Sequence, residues 1–472
     1  MASVTAISKE ALDLAVEAEG ILFSGQTVIS FEGEPSFDEA TQRWNSYKAP
    51  SFSASITVNT EQDVAGAVKL ARALQVGFLA TSSRHGYGMT LNRLQGGLAI
   101  DLSQMNGIEV TGSTITVGPG ATTEKIIAAV DKAGYEIPVG SHDTLSLVGV
   151  AIGGGVNRWS GVYGLVLDSL VSARVVLHDG RLVEASESQN PDLFWAIRGA
   201  GANFGIVVSA TFKMQEAINH GNLFSADIII PISQAEKFFD VIKSLHDNFP
   251  AQLGAIFYIV WNEDLGQPII MTSWVWHGTE EESQAAVAPF LALETIAVNK
   301  RTIRWKDVIA GDAGLRVANL NRMIYGVNLR EVDVATFKST VDKFGQLYQD
   351  FPAARGSAFV AEFLANNATM EVDDEATAYP WRDATANLMI QMSWVGSDSA
   401  TEAAAKAVGE QVRQDHAKTG GYPGLSVYVN YAVGDEPLED VYGKHKLPRL
   451  LQLKALWDPE NVFRYHHPLL RE

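Results

Sequence analysis

Alternating and helical patterns of apolar residues predict strands and helices in the first part of the chain. The segment "SASITVN" (53–59) alternates as a strand does, and apolar residues then recur at helical spacing over 64–74. Thr60 and Asp63 have the spacing of an N-terminal capping box. The short apolar run "FLAT" (78–81) completes a β-α-β unit.

The same patterns predict further elements up to residue 214. We expect an amphipathic helix over 1–20, strands over 96–102 and 113–120, and a helix over 122–134 that ends at Gly134. The segment 169–186 has the form of a hairpin that turns at Asp179 and Gly180. A helix and a strand over 190–214 close this α+β region.

The second half has a different pattern, with many aromatic residues in strand-like segments. We predict five strands and four helices between them, and therefore a second domain in which helices pack on one face of an antiparallel sheet. The strands are predicted over 222–231, 255–262, 268–278, 356–365 and 386–396, and the helices near 233–249, 282–293, 333–349 and 400–418.

Composition and charge narrow the class of protein. The net charge of −19 over 472 residues argues against nucleic acids and anionic membranes as partners. The absence of cysteine excludes disulfides, thiolate nucleophiles and cysteine-based metal sites. The N-terminus lacks the pattern of a signal peptide, and no apolar run reaches the roughly 18 residues of a membrane span, so we expect a cytoplasmic protein.

Three glycine-bearing loops follow predicted strands, over 82–88, 149–155 and 199–205. Such loops form tight turns, and they also present backbone N–H groups to phosphates. The third, "GAGANFG", is one residue longer than a dinucleotide-binding fingerprint, which argues against a Rossmann site. Two interpretations of these loops remain: they are simple turns, or they form a site for a large phosphate-containing cofactor.

His85 lies in the first glycine loop, beside Arg84 and among small residues. A lone histidine is most often a surface or core residue. A neutral imidazole is also a nucleophile, and the Arg84 cation would stabilise a phosphate or an anionic reduced ring. The surroundings of His85 therefore suit the attachment of a redox cofactor.

Four motifs in order carry a resemblance to a known family. They are "VNTEQDVAGAV" with "TSSRHGYG", "VGVAIGGGVNRWSGVYGLVLDSL", "NPDLFWAIRGAGANFGIVV", and "YVNYAVGD" with "LKALWDPENVFRYHHPL". Together they resemble the FAD-linked oxidases of the vanillyl-alcohol-oxidase superfamily, in the berberine-bridge-enzyme-like branch. The resemblance implies a two-part FAD-binding domain, formed by residues 1–215 and 420–472, with an antiparallel-sheet substrate domain inserted over 216–419.

The resemblance also implies roles for residues of the loops. The histidine at the position of His85 bonds covalently to the 8α-methyl group of FAD in that family. Ser83 and Arg84 stand where the family often has glycines, and the position of a second, cysteinyl bond falls near Leu145. Any attachment is therefore single, as in members similar to 6-hydroxy-D-nicotine oxidase. The other residues expected to bind FAD are Thr81, Ser82, Ser83, Arg84, Gly86, Ser146, Val148, Gly149, Gly154, Val207 and Asn430.

Val148 matches the family's oxygen-gate position, where valine accompanies oxidases. The resemblance thus implies O2 and a small-molecule substrate as partners, with hydrogen peroxide as a product. We expect an oxidase of a small alcohol, amine or related metabolite of specialised metabolism. A dehydrogenase with another acceptor, a flavin-bearing cyclase without net redox chemistry and a non-catalytic binding protein remain alternatives. The sequence carries no signal for an oligomeric state.

Two residues are candidates for the base that takes the substrate proton. Tyr428 is the first choice, because related enzymes use a tyrosine near this motif. Glu362 interrupts an apolar strand and must face water, a partner or the pocket. Strand positions suggest four further pocket residues: Tyr258, Trp261, Gln391 and Trp394.

The segment "FRYHHPLL" near the C-terminus holds two adjacent histidines. On an extended segment neighbouring side chains point in opposite directions, and no carboxylate cluster accompanies them in the sequence. We therefore expect no metal site there.

Overall fold

The computed structural model describes residues 7–246, 248–309 and 320–471. Residues 1–6 of the predicted N-terminal helix and residue 247 of the predicted helix over 233–249 lie outside this part. The strands are β1 (Val28–Phe31), β2 (Phe52–Thr57), β3 (Phe78–Thr81), β4 (Gly97–Asp101), β5 (Ile108–Thr111), β6 (Thr114–Val117), β7 (Tyr135–Glu136), β8 (Leu170–Val176), β9 (Leu182–Ser186), β10 (Ile206–Lys213), β11 (Gln215–Glu216), β12 (Asn222–Pro231), β13 (Leu253–Asn262), β14 (Gln267–Trp276), β15 (Ala297–Arg304), β16 (Asn321–Leu329), β17 (Ala358–Leu364) and β18 (Ala386–Trp394).

Helices of the described residues cover both halves of the chain. They are α1 (Lys9–Ala18), α2 (Pro35–Thr41), α3 (Glu61–Ala73), α4 (Thr123–Lys132), α5 (Leu147–Ala151), α6 (Pro191–Ala200), α7 (Ala235–His246), α8 (Glu280–Leu291), α9 (Val334–Asp350), α10 (Asn367–Glu371), α11 (Ser399–Thr419), α12 (Leu438–Tyr442) and α13 (Leu447–Trp457). Among the described residues, no helix has both the length and the apolar character that crossing a membrane requires.

Two larger sheets and a small antiparallel pair, β7 with β11, form the first region. A four-stranded sheet has the order β1-β2-β4-β3, with β4 parallel to both β2 and β3. A five-stranded antiparallel sheet has the order β5-β6-β10-β8-β9 and contains the predicted hairpin of β8 and β9. The helix α3 begins at the predicted capping box of Thr60 and Asp63. Its apolar face shares one core with both sheets, so it joins them.

The second region is a seven-stranded antiparallel sheet with the order β15-β12-β14-β13-β17-β18-β16. The helices α7, α8, α9 and α11 pack against one face of it. All five predicted strands of this region are present. The sequence analysis missed the two edge strands, because β15 is almost wholly exposed and polar and β16 contains a central glycine.

The two faces of this sheet have different functions in packing. Phe257, Phe359 and Ile390 point into the core beneath the helices. The alternating positions carry Tyr258, Val360 and Met389, which form a separate apolar group on the other face. That second face looks towards the first region.

The fold class predicted from the sequence is confirmed: the chain is α+β, with an antiparallel-sheet region covered by helices on one face. After this sheet the chain returns to the first region, where α13 packs on α6. The domain boundaries at residues 215 and 420 stay a prediction.

We predict that Phe257 supports the stability of the seven-stranded sheet. Its buried ring contacts the rings of five other phenylalanines, stacking on that of Phe363 at 5.6 Å between centroids. Phe257→Ala should lower the free energy of unfolding by about 3–5 kcal/mol, because the substitution leaves a cavity. Urea denaturation followed by tryptophan fluorescence measures this.

The matched control is Val298→Ala on the edge strand of the same sheet, where the side chain is 42% exposed. This variant should unfold at nearly the same urea concentration as the wild type. Equal losses in the two variants would contradict the central position given to Phe257.

Candidate active site

A cavity of about 390 Å³ lies between the inner face of the seven-stranded sheet and the loops of the first region. This volume is within the range of about 300–1,000 Å³ that is usual for small-molecule sites. Segments from the three glycine-bearing loops, the sheet face and the C-terminal segment all line it. The residues predicted to bind FAD that line it are Thr81, Ser82, Ser83, Arg84, His85, Gly86, Ser146, Val148, Gly149, Val207 and Asn430.

Gly154 is the one predicted FAD-binding residue outside the lining; its neighbour Gly153 takes that place. Gly154 has a φ of 135°, which side-chain-bearing residues rarely adopt. A Cβ atom there would lie 2.8 Å from the ring of Tyr379. Gly154 therefore permits a tight turn against Tyr379 behind the cavity wall.

His85 is held at the cavity by hydrogen bonding and stacking. Its Nε2 lies 2.7 Å from the hydroxyl of Thr144. Its ring stacks on Trp44, with centroids 5.8 Å apart and planes 25° from parallel. Trp44 and Thr144 were not singled out in the sequence, because they lie about 40 and 60 positions away and only the fold brings them to His85.

The loop before His85 is fixed by Ser83 and Arg84. Arg84 has a φ of 59°, in the region that favours glycine. Its guanidinium group donates to the buried carboxylate of Asp101 at 2.7 Å and to the carbonyl of Ala40 at 3.0 Å. The Ser83 hydroxyl accepts a hydrogen bond from the Ser146 amide at 3.1 Å, which joins the first glycine loop to the second.

Positive charge accumulates on one side of the cavity. Arg43 lines it and donates to the carbonyl of Gly86. Burial and the neighbouring positive charge of Arg84 lower the pKa of Arg43 to about 10. The pKa of His466 is lowered to about 4 by burial and by Arg43, so this imidazole is neutral at pH 7. An anionic group in the cavity would relieve the repulsion between the two arginines.

The two adjacent histidines are not arranged as the sequence suggested. His467 has a φ of 44°, so the segment is not extended, and both rings line the cavity with centroids 4.6 Å apart. Burial and the neighbouring His466 and Arg471 hold the pKa of His467 well below its usual value.

The predicted base Tyr428 lies in the cavity wall. Its hydroxyl accepts hydrogen bonds from the Gly155 amide at 2.9 Å and from the Asn430 side chain at 2.6 Å. Burial raises the pKa of Tyr428 to about 12, although these two donors favour the phenolate. Its role as a base stays a prediction.

Glu362 forms a pair that the sequence analysis missed. The hydroxyl of Tyr431 donates to its carboxylate at 2.9 Å, and both side chains line the cavity. Burial raises the pKa of Glu362 to about 7, although the Tyr431 bond and the charge of Arg158 act in the opposite direction. Tyr431 stands three positions after Tyr428 in "YVNY", a single 3-10 turn that brings both rings to the cavity.

Tyr258 and Gln391 line the cavity as predicted, and Trp261 and Trp394 do not. Trp261 packs on Tyr348 and beneath the guanidinium group of Arg355, and Trp394 lies in the core on the helix side. Each tryptophan is three positions from its predicted partner. An odd spacing along a strand places two side chains on opposite faces, so the prediction was wrong.

The apolar part of the cavity comes from the inner sheet face. Tyr258, Val360 and Met389 lie side by side on β13, β17 and β18. The hydroxyl of Tyr87, which the sequence analysis did not single out, approaches the sulfur of Met389 at 4.0 Å. The polar groups of this face include the Tyr258 hydroxyl, Glu362 and Gln391, and Tyr431 reaches Glu362 from its 3-10 turn.

The residues present suit FAD. Hydroxyl groups and backbone amides of the first two loops suit its phosphates, and Arg43 supplies compensating positive charge. The buried apolar sheet face suits a flat ring system and an apolar substrate. Which of these residues contact the cofactor stays a prediction.

Comparisons with known families agree with this site. The family described as "FAD binding domain" matches residues 52–186, and the family described as "Berberine and berberine like" matches residues 427–469. FAD-linked oxidoreductase OXR1 of Pyricularia oryzae is 42% identical over 468 residues, which cover 96% of this chain and 91% of the relative. FAD-linked oxidoreductase srdI of Neurospora crassa is 41% identical, with 95% and 90% covered.

Solved structures share the fold at lower identity. A chitooligosaccharide oxidase matches with a TM-score of 0.83 and 22% identity, over 98% of this chain and 99% of that one. 6-Hydroxy-D-nicotine oxidase from Arthrobacter nicotinovorans matches with a TM-score of 0.79 and 20% identity, over 95% and 99%. Glucooligosaccharide oxidase from Acremonium strictum, described with a 6-S-cysteinyl, 8α-N1-histidyl FAD, matches with a TM-score of 0.80 and 20% identity, over 97% and 98%.

Proposed function

The chain belongs to the berberine-bridge-enzyme-like family of FAD-linked oxidoreductases, and on that basis we propose that it is an oxidase of a small apolar alcohol or amine. FAD, when bound, would accept a hydride from a substrate C–H bond at flavin N5 and pass the two electrons to O2, which would give hydrogen peroxide. The protein would have to take a proton from the adjacent O–H or N–H group of the substrate. The observation that carries the proposal is the pair of Glu362 and Tyr431, buried beside an apolar wall in the same cavity as His85.

The cavity lining supports an apolar substrate over a sugar. Tyr258, Val360 and Met389 form a continuous apolar wall. A sugar hydroxyl buried against such a wall would lack a hydrogen-bond partner, at a cost of about 1–3 kcal/mol for each such group. A metabolite with one polar end and an apolar body suits this cavity and fits a specialised biosynthetic pathway.

We propose that Glu362 is the base that takes the proton from the substrate. A base is most effective when its pKa is near the working pH, and the pKa of Glu362 is about 7. Tyr431 positions the carboxylate through its hydrogen bond at 2.9 Å. Tyr428, with a pKa of about 12, is the weaker candidate at neutral pH and holds the turn at Gly155 instead.

FAD supplies the hydride acceptor, and we propose that His85 attaches it covalently. Thr144 and Trp44 hold the His85 ring in one orientation at the cavity. With no cysteine in the chain, the attachment is single. Val148 is buried and lines the cavity, and its small side chain leaves space for O2 in the proposed oxidase.

We predict that the reduced protein reacts rapidly with O2. The flavin is reduced anaerobically by light and then mixed with aerated buffer, while its absorbance and the peroxide formed are recorded. One peroxide per flavin is expected, with slower reoxidation in Val148→Leu because the longer side chain occupies the cavity. Val110→Leu, at a partly exposed position on β5, is the control. A reduced flavin that persists in air and yields its electrons to a quinone dye indicates a dehydrogenase.

We predict that His85→Ala loses the covalent flavin. The protein is precipitated with acid, and the yellow colour of pellet and supernatant is compared. Colour should stay in the pellet of the wild type and move to the supernatant in the variant, because only a covalent bond survives denaturation. Wild-type protein that releases its colour would contradict the attachment and leave a flavoprotein with dissociable FAD.

We predict that Glu362→Gln slows flavin reduction by about 10²- to 10⁴-fold, the usual contribution of a general base. In the wild type the rate should fall as the pH drops through about 7, because the carboxyl group then holds its own proton. Stopped-flow reduction with the fastest alcohol or amine of a screen measures both effects.

The pH dependence should disappear in Glu362→Gln and persist in the control Glu375→Gln, whose side chain is exposed. Tyr431→Phe should lower the rate less and shift the pH profile, since it removes the hydrogen bond and leaves the carboxylate. If the pH profile of Glu362→Gln is unchanged, a group other than Glu362 takes the substrate proton.

A further inference from the structure

One contact crosses the cavity from the loops to the sheet. Tyr87 belongs to the first glycine loop and Met389 to β18, and both side chains line the cavity. The Tyr87 hydroxyl lies 4.0 Å from the sulfur of Met389. A thioether sulfur is a weak hydrogen-bond acceptor, so a ligand can replace this contact at little cost. The contact therefore narrows the cavity at this point, and a ligand can open it.

The loop side of this contact is fixed. Tyr87 stands between two glycines, Gly86 and Gly88, that let the backbone approach the C-terminal histidines. A Cβ atom at Gly88 would lie 2.7 Å from the ring of His467. The ring of Tyr87 also packs on that of Trp44, with centroids 6.1 Å apart and planes at 50°. The loop therefore leaves Tyr87 little room to withdraw from the cavity.

The sheet side can move. The side chain of Met389 is partly exposed and lines the cavity. An unbranched thioether side chain changes its shape at low cost. Its cross-strand neighbour Val360 is buried and β-branched, so Val360 has far less freedom to change its shape. Met389 is therefore the part of the apolar wall that yields to a ligand.

The contact lies beside the proposed base. Val360 pairs with Met389, and Glu362 is two positions further along β17 on the same face. On the other side of Met389, β16 has Gly326, where a Cβ atom would lie 2.9 Å from the Cβ atom of Tyr431. Met389 is therefore close to both members of the pair of Glu362 and Tyr431.

We propose that Tyr87 and Met389 form a gate that selects a flat aromatic ring in the substrate. The inference rests on the oxidase proposed above and names the class of its substrate, an aromatic alcohol or amine. A flat ring passes between the two side chains, and the sulfur of Met389 makes a favourable contact with it. A saturated ring of the same size is thicker, so it must displace Met389 further.

The test compares two pairs of ligands in the flavin-containing protein. Benzyl alcohol and cyclohexylmethanol are compared as substrates by kcat/KM. Benzamide and cyclohexanecarboxamide are compared as non-reacting ligands by titration of the flavin absorbance. The C–H bonds of benzyl alcohol are the more reactive, but this difference is the same in every variant and cancels when variants are compared with the wild type. Flavin content and melting temperature show that each variant is folded.

The gate predicts that the wild type prefers the flat member of each pair. Met389→Ala should reduce this preference by about tenfold, the lower end of the range for a change of one methylene group in an apolar pocket. Met389→Leu has a similar volume and should keep the preference. Tyr87→Ala should also reduce it, and the double variant should lose little more, because one gate has two sides. Met370→Ala, at a position that is 59% exposed, is the control.

The outcomes separate the gate from the proposed oxidase. An unchanged preference in Met389→Ala and Tyr87→Ala would overturn the gate and leave the oxidase in place. Additive losses in the double variant would also overturn it, because the two side chains would then act independently. A preference for benzamide that depends on Met389, without oxidation of any alcohol or amine, would support the gate and overturn the oxidase. A wild type that binds none of the four ligands, or binds both members of each pair equally, would overturn the gate.

Discussion

The two-residue repeat of β13, β17 and β18 is the constraint on which the site depends. In each strand, alternate side chains must pack into the helix-covered core on one face and line the cavity on the other face. The pairing of Tyr258 with Val360, and of Val360 with Met389, aligns the cavity side chains across three strands. A register slip of one residue would place Glu362 in the aromatic core and Phe363 in the cavity. The sheet register therefore determines both the apolar wall of the cavity and the position of the buried carboxylate.

A buried lysine ties the C-terminal segment to this arrangement. The ammonium group of Lys454 donates to Asp458 at 2.6 Å and to the carbonyls of Asn203 and Phe463 at 2.8 and 2.9 Å. A buried ion pair is tolerated when all its donors are satisfied, as here. These bonds hold the third glycine loop against the last helix. The segment that carries Tyr428 and Tyr431 lines the same cavity as the third glycine loop, so distant parts of the sequence meet at one site.

Local sequence patterns were sufficient to predict the helices and strands, but they did not predict the contacts between them. The capping box at Thr60, the hairpin at Gly180 and the five aromatic strands have short-range signals and are present. His85 and Glu362 stood out in the sequence because His85 lies among small residues and Glu362 lies within an apolar strand. Tyr431 and Thr144 gave no such signal, because the cavity residues that they contact, Glu362 and His85, lie 69 and 59 positions from them in the chain. The errors at Trp261 and Trp394 came from neglecting the parity of strand positions, which the sequence itself contains.

The backbone conformation of Arg84 has a consequence for the proposed binding of FAD. A glycine would adopt the same φ of 59° without strain, but it would leave the loop more flexible. Arg84 adopts this unfavourable backbone conformation, and its hydrogen bonds to Asp101 and Ala40 compensate for the cost. Together with the link between Ser83 and Ser146, these bonds order the loop before any ligand arrives. Less conformational entropy is then lost on binding. Part of the folding free energy thus maintains a preorganised loop, and this would make the proposed binding of FAD more favourable.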